Sequence, residues 1–182
     1  MKEKTMAHAA RRISVALVDV RSAHNVGSVF RTADAAGVGT SGGTIFLCGY
    51  TPAPLDRFKR IRPDIAKVAL GAEQQIPWES RESCVELIRD AKKAGTLVIA
   101  IEQDARAINI RDVSAKIVAA ASGQWSPEIL FIFGNETKGL SPDILKICDE
   151  IAFIPMNGTK ESLNVSVSVG IALYLAPPPY NA

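Results

Sequence analysis

The chain has 182 residues, 47% of them hydrophobic and 22% charged, with a formal charge of +2. That length supports one domain with a real core, and so small a charge does not by itself announce a polyanionic partner. No apolar run approaches the roughly 18 residues needed to span a bilayer, and the opening segment, MKEKTMAHAARR, has no apolar core of the kind a signal peptide needs.

In chain order, ISVALVDV (13–20) is a short β-branched run suited to a buried parallel strand. NVGSVFRTADAAG (25–37) follows as a helix, with Asn25 as its cap and Gly37 as its stop. TIFLCG (44–49) reads as a strand. YTPAPLD and its basic continuation read as a loop that ends in a short helix near 63–70, and QQIPWES as a brief strand. RESCVELIRDAKKAG (81–95) is an amphipathic helix and TLVIAIE (96–102) a strand. DVSAKIVAAASG suggests a helix within the less legible stretch 103–128. EILFIFG (128–134) is a strand, SPDILKIC (141–148) a helix with Pro142 in its first turn, and EIAFIPM (150–156) a strand. Strands alternating with helices imply an α/β fold, a mostly parallel sheet flanked by helices.

The last segment, SLNVSVSVGIALY (162–174), is ambiguous. Val165, Val167, Val169, Ile171 and Leu173 alternate with smaller residues, which is a strand period. Asn164, just ahead of the run, is a good helix cap.

Cys48, Cys84 and Cys148 are far apart, and no CxxC pair exists. Neither a zinc site nor a disulfide framework is expected, no metal is expected, and the cysteine usage fits a reducing, cytoplasmic compartment. Arg11, Arg12, Arg21 and Arg31 crowd the first strand and helix, and Arg57, Lys59, Arg60 and Arg62 form a second basic cluster. Such clusters are usually solvated surface; the functional reading is a split phosphate-binding face.

Two glycine-rich stretches imitate phosphate loops. GVGTSG (37–42) follows a helix and precedes a strand, the reverse of what a dinucleotide fingerprint requires. GNETKGLS (134–141) lies between a strand and a helix, but Leu140 stands where a P-loop needs lysine, ahead of the hydroxyl of Ser141. Glu136 would also set a carboxylate against any phosphate.

Three loops at strand ends, 21–27, 134–140 and 155–164, each carry a polar group at a strand-helix junction: Asn25, Glu136 and Asn164. Ligands of open parallel sheets gather outside the carboxyl ends of the strands. The segments NVGSVFRTADAAGV, IFGNETKGLSPDIL and IPMNGTKESLNVSVSVGIALY resemble, in order and spacing, the three motifs of the SpoU (TrmH-like) branch of the SPOUT RNA methyltransferases. CGYTPAPLDRFKRI and KVALGAEQQIPWE resemble that family's connecting segments, so the likeness runs from about Ile13 to Leu175.

This resemblance implies an α/β knot, in which the C-terminal segment threads a loop as a deep trefoil knot, an exception to the rule of unknotted chains. It implies that the segment from Asn164 is a helix despite its strand period. It implies transfer of a methyl group from S-adenosylmethionine to a ribose 2′-hydroxyl of tRNA or rRNA, by a homodimer whose active sites draw on both chains. A non-catalytic RNA-binding homologue that keeps the fold is the alternative. By position, Gly134, Ile154, Met156, Leu163 and Asn164 hold the cofactor, completed by Ile101 and Glu102. Arg31 matches the family's catalytic arginine; Asn25 would hold Arg31 or the ribose, and Glu136 would support the active-site loop. One domain over 1–182 is expected, flexible over 1–10 and without a separate RNA-binding domain. The glycine-rich 37–43 link and residues 115–128 depart from the family pattern.

Overall fold

The computed structural model describes residues 12–121 and 128–176. Segment 1–10, Arg11 and part of the 115–128 stretch lie outside the described residues. Among the described residues, seven strands form one sheet: β1 (Ile13–Val18), β2 (Ile45–Cys48), β3 (Trp78–Arg81), β4 (Leu97–Ile101), β5 (Ile108–Asn109), β6 (Ile129–Phe133) and β7 (Glu150–Phe153). They lie in the order β3-β2-β1-β6-β4-β7-β5, and every paired neighbour is parallel. The helices are α1 (Ala23–Ala35), α2 (Pro63–Ala69), α3 (Ala72–Gln75), α4 (Cys84–Lys93), α5 (Ile110–Ala121), α6 (Pro142–Ile147) and α7 (Val165–Leu175).

The period of two along each strand sorts side chains into two cores. Ile13, Val15 and Leu17 of β1, with Ile129, Phe131 and Phe133 of β6, face the layer built from α1, α2, α3, α5 and α7. Ala16, Val18, Leu130 and Ile132 face the layer of α4 and α6. Both faces being covered explains why these strands read as nearly continuous apolar runs. The three cysteines are free thiols; Cys48 and Cys84 are buried in the second core.

Several elements depart from the sequence reading. Helix α1 starts two residues early, because Ser22 and not Asn25 caps it: Ser22 Oγ accepts from the Asn25 backbone N–H at 3.2 Å. In QQIPWES the glutamines end α3, and the strand begins only at Trp78. Strand β5 is two residues long, too short to show a period.

The final segment is a helix. Asn164 caps it, its Oδ1 accepting from Ser166 N at 2.8 Å and from Ser166 Oγ at 2.7 Å. Val165, Val169, Ala172 and Leu173 are buried, and full burial of a valine or leucine contributes about 1.5–3 kcal/mol. Packing therefore overrides the low helix propensity of valine. Gly170 faces α1: a Cβ there would meet the Thr32 methyl at 3.4 Å, an ordinary packing contact. Val167, Tyr174 and Leu175 remain exposed, leaving an apolar face on the outside of α7.

Candidate active site

A cavity of about 290 Å³ opens outside the carboxyl ends of β4, β6 and β7. Ile101 ends β4, Phe133 ends β6, and Ile154 follows β7; with Met156 and Leu163 they give it apolar walls. Glu102, Gln103, residues 134–139 and Ser168 supply its polar rim. Its size is at the lower end of the range for small-molecule sites, about 300–1,000 Å³.

The loop after β6 is wound tightly enough to need glycine. Gly139 has φ +64° and its N–H donates to Asn135 O at 3.0 Å, closing the turn. A Cβ on Gly134 would collide with the Gly139 backbone, and one on Gly139 would collide with the Glu102 carboxylate. Glu102 locks the turn from β4: its Oε2 accepts from Leu140 N at 2.8 Å and its Oε1 from Gln103 N at 3.0 Å. Gln103 Nε2 in turn donates to Ile154 O at 3.2 Å, tying the third wall to the first.

Beside the cavity the three polar junction residues form one chain of hydrogen bonds. Asn164 Nδ2 donates to Asn25 Oδ1 at 3.1 Å, and Asn25 Nδ2 donates to Glu136 Oε1 at 3.0 Å. The Glu136 carboxylate also accepts from Arg21 N and Ser22 N, at 3.3 and 3.4 Å, where α1 begins. Partial burial pushes the Glu136 carboxyl up, but the backbone amides and the Asn25 amide outweigh it and hold it below its ordinary 4.5. An anion at the positive end of α1 is favoured there as well.

Asn135 was not singled out by sequence reasoning, although it lies inside the loop that was. It is buried, and its Nδ2 donates to Asp19 O at 2.7 Å and to the Tyr50 hydroxyl at 2.9 Å, while its Oδ1 accepts from Thr137 N and Lys138 N. One side chain thereby fastens the loop to the ends of β1 and β2. Asp19 takes a positive φ of 56°, which is uncommon for a residue with a Cβ; nothing in the sequence announces it.

Of the sequence-predicted cofactor residues, Ile101, Glu102, Gly134, Ile154, Met156 and Leu163 line the cavity. Asn164 stands behind it, as the cap of α7 and the partner of Asn25. Asn25 holds Glu136 and Asn164, not Arg31. Arg31 is six residues further along α1, which is about 9 Å along the axis and about 240° around it. It is exposed and borders a separate hollow with Asp34, Leu70, Gly71 and Gln75. Among the described residues it makes no ion pair.

The basic residues divide differently. Arg12 pairs with Glu128 at 3.1 Å, Arg60 with Asp56 at 2.8 Å and Arg62 with Asp64 at 2.7 Å. Arg21 lies over the Tyr50 ring at 6.0 Å. Arg57 and Lys59 make no ion pair among the described residues. Among those residues no cluster of three or more His, Cys, Asp or Glu is placed to hold a metal, and no helix is long and apolar enough to cross a membrane.

The model of the SpoU rRNA Methylase family matches residues 12–174. The chain belongs to that family. It is similar to the 23S rRNA (guanosine-2′-O-)-methyltransferase RlmB of Ralstonia nicotianae, 31% identical over 86% of this chain and 55% of that protein. It is similar as well to the tRNA (guanosine(18)-2′-O)-methyltransferase of Aquifex aeolicus, 29% identical over 87% of this chain and 65% of that protein. An AdoMet-bound rRNA methyltransferase from Sinorhizobium meliloti superposes with a TM-score of 0.74, at 28% identity, over 92% of this chain and 57% of that one. The chain thus spans between about half and two thirds of the curated SpoU relatives it matches.

Proposed function

We propose that this SpoU-family chain methylates a ribose 2′-hydroxyl of tRNA or rRNA with S-adenosylmethionine as donor, in the cytoplasm. The observation that carries this reading is the hydrogen-bonded chain Asn164–Asn25–Glu136, which joins the three motif loops at the rim of one cavity.

The cavity's residues fit the donor. Ile101, Phe133, Ile154, Met156 and Leu163 give the apolar walls that adenine needs, and the glycines let backbone groups come close. When bound, the donor would supply an activated methyl group on a sulfonium, with a neutral thioether as its leaving group. Glu102, Gly134 and Gly139 fix the loop that would hold it. Glu136 and Asn25 set that loop against α1, and Asn135 fixes its other side.

Arg31 is the residue proposed to meet the RNA. A guanidinium rarely gives up its proton, and an RNA phosphate would favour its charged form further. Its role is therefore to clamp a phosphate and align the 2′-hydroxyl with the methyl group, and alignment alone supplies a large share of such a barrier's reduction. Within one chain Arg31 borders a hollow other than the donor cavity. The exposed apolar face of α7, beside α1, supports a homodimer in which Arg31 of one chain completes the site of its partner. The tail that carries α7 is proposed to thread the fold as the family's knot.

The test is Arg31→Ala. Methyl transfer to RNA is expected to be abolished, while calorimetric binding of S-adenosylmethionine is retained. Near-normal turnover in this variant would refute the role.

A further inference from the structure

The connection between β2 and α2 carries a feature that the methyl-transfer reading does not use. Residues 55–61 form a closed loop, pinned by an antiparallel bridge between Leu55 and Ile61. Its tip holds Phe58, which is 62% exposed. Two guanidiniums lie over that ring, Arg57 at 4.7 Å and Arg60 at 5.0 Å from its centroid.

The tip is rigid. Asp56 Oδ1 accepts from Phe58 N at 2.8 Å and from Arg60 N at 2.9 Å, and Asp56 Oδ2 accepts from Arg60 Nε at 2.8 Å. Lys59 closes the turn at a φ of 60°, its N–H donating to Asp56 O at 2.9 Å. A solvated basic loop needs none of this, and an aromatic ring gains nothing by being held out into water. A ring held among cations suits a stacked nucleobase, which would displace one guanidinium from the ring face and leave that charge beside the base's phosphates.

Position favours RNA over a protein partner. The loop leaves the carboxyl end of β2, the same end at which the Tyr50 hydroxyl bonds Asn135 beside the donor cavity. Tyr50 repeats the arrangement, being 55% exposed with Arg21 over its ring. Arg57 and Lys59 are left without carboxylate partners among the described residues, available for phosphates.

We propose that Phe58 is a stacking platform for an unpaired base of the RNA substrate, so that the enzyme selects single-stranded or looped segments over duplex. This rests on the reading of the chain as an RNA methyltransferase. The loop's three cations, Arg57, Lys59 and Arg60, supply charge without distinguishing strandedness, whereas a ring can stack only on a base that has left its helix.

The test uses the full chain with a fluorescein-labelled 12-nucleotide single-stranded RNA and a blunt RNA duplex of the same sequence, read by anisotropy. Phe58→Ala is expected to weaken single-strand binding by between about 5- and 150-fold, the range for loss of one base–aromatic stack. Duplex binding and the salt dependence are expected to stay as in the wild type, and Phe58→Trp to restore the affinity. Arg57→Gln is expected to weaken both RNAs and lower the salt slope by about one. Equal loss on both RNAs, no loss on either, no wild-type binding to either, or a change in sedimentation with RNA binding intact would each overturn the proposal. Methyl transfer is measured separately: selective loss of single-strand binding in Phe58→Ala, in a chain that transfers no methyl group, would uphold the platform and defeat only the catalytic reading.

Discussion

Asn25 and Asn164 are 139 positions apart in the chain, and the side-chain amide of Asn164 donates to that of Asn25 at 3.1 Å. This bond fastens the first turn of α1 to the cap of α7, and through Glu136 to the loop after β6.

Neither asparagine should therefore act alone. Asn164→Ala removes the cap of α7, which costs about 1 kcal/mol of stability, and is expected to raise the dissociation constant for S-adenosylmethionine. Asn25→Ala releases Glu136. The double variant is expected to lose less than the sum of the two, with a coupling of about 0.5–3 kcal/mol in chemical denaturation. Strict additivity, with an unchanged donor affinity in Asn164→Ala, would show that the bond does not shape the cavity.

Glu136 gives the junction a pH dependence of definite sign. Its carboxyl is held below 4.5 in the folded chain, so the unfolded chain binds the proton more readily. Its stabilisation is fully present above 4.5 and is lost as pH falls through the lowered folded value. Thermal denaturation between pH 7 and pH 3 should show the wild type losing stability at the acid end more steeply than Glu136→Gln. Parallel curves for the two would mean that the amides of Arg21 and Ser22 and the Asn25 side chain do not favour the ionised carboxyl.

Much of this fold was legible because both sheet faces are covered. Runs such as ILFIF (129–133), short and rich in isoleucine and phenylalanine, read as interior strands, and Pro142 at the start of α6 marks its own boundary. Where the local signal misled, a neighbour elsewhere in the chain decided. The start of α1 was misplaced because Ser22 and Asn25 are both good caps, and only the contact with Glu136 assigns Asn25 elsewhere. Segment 165–175 has a strand's period, yet it is a helix that buries Val165, Val169, Ala172 and Leu173 on one side. The six cavity residues were named through the family resemblance, from their places in its motifs and beside the end of β4, and all six line the cavity. Asn135 and the strained Asp19 were not named, since their roles depend on a bond between two loops. Arg31 carries the resemblance, but its place on α1 is remote from the cavity of its own chain.

That remoteness makes the dimer testable. Val167→Glu and Tyr174→Glu place charge on the exposed apolar face of α7 and are expected to give monomers in sedimentation without methyl transfer. Mixing equal amounts of inactive Arg31→Ala and an inactive cavity variant such as Gly134→Val is expected to recover about a quarter of wild-type activity, because about half of the dimers are then mixed and each mixed dimer keeps one intact site of two. No recovery from subunits shown to have exchanged would place Arg31 in the site of its own chain.

The most direct measurement follows a labelled methyl group from S-adenosylmethionine into bulk tRNA and rRNA, followed by alkaline hydrolysis. A methylated 2′-oxygen blocks cleavage of its own phosphodiester, so the label is predicted to emerge in alkali-resistant dinucleotides. Label in single nucleotides, or no label in either RNA, would contradict the assignment of this cavity to ribose methylation.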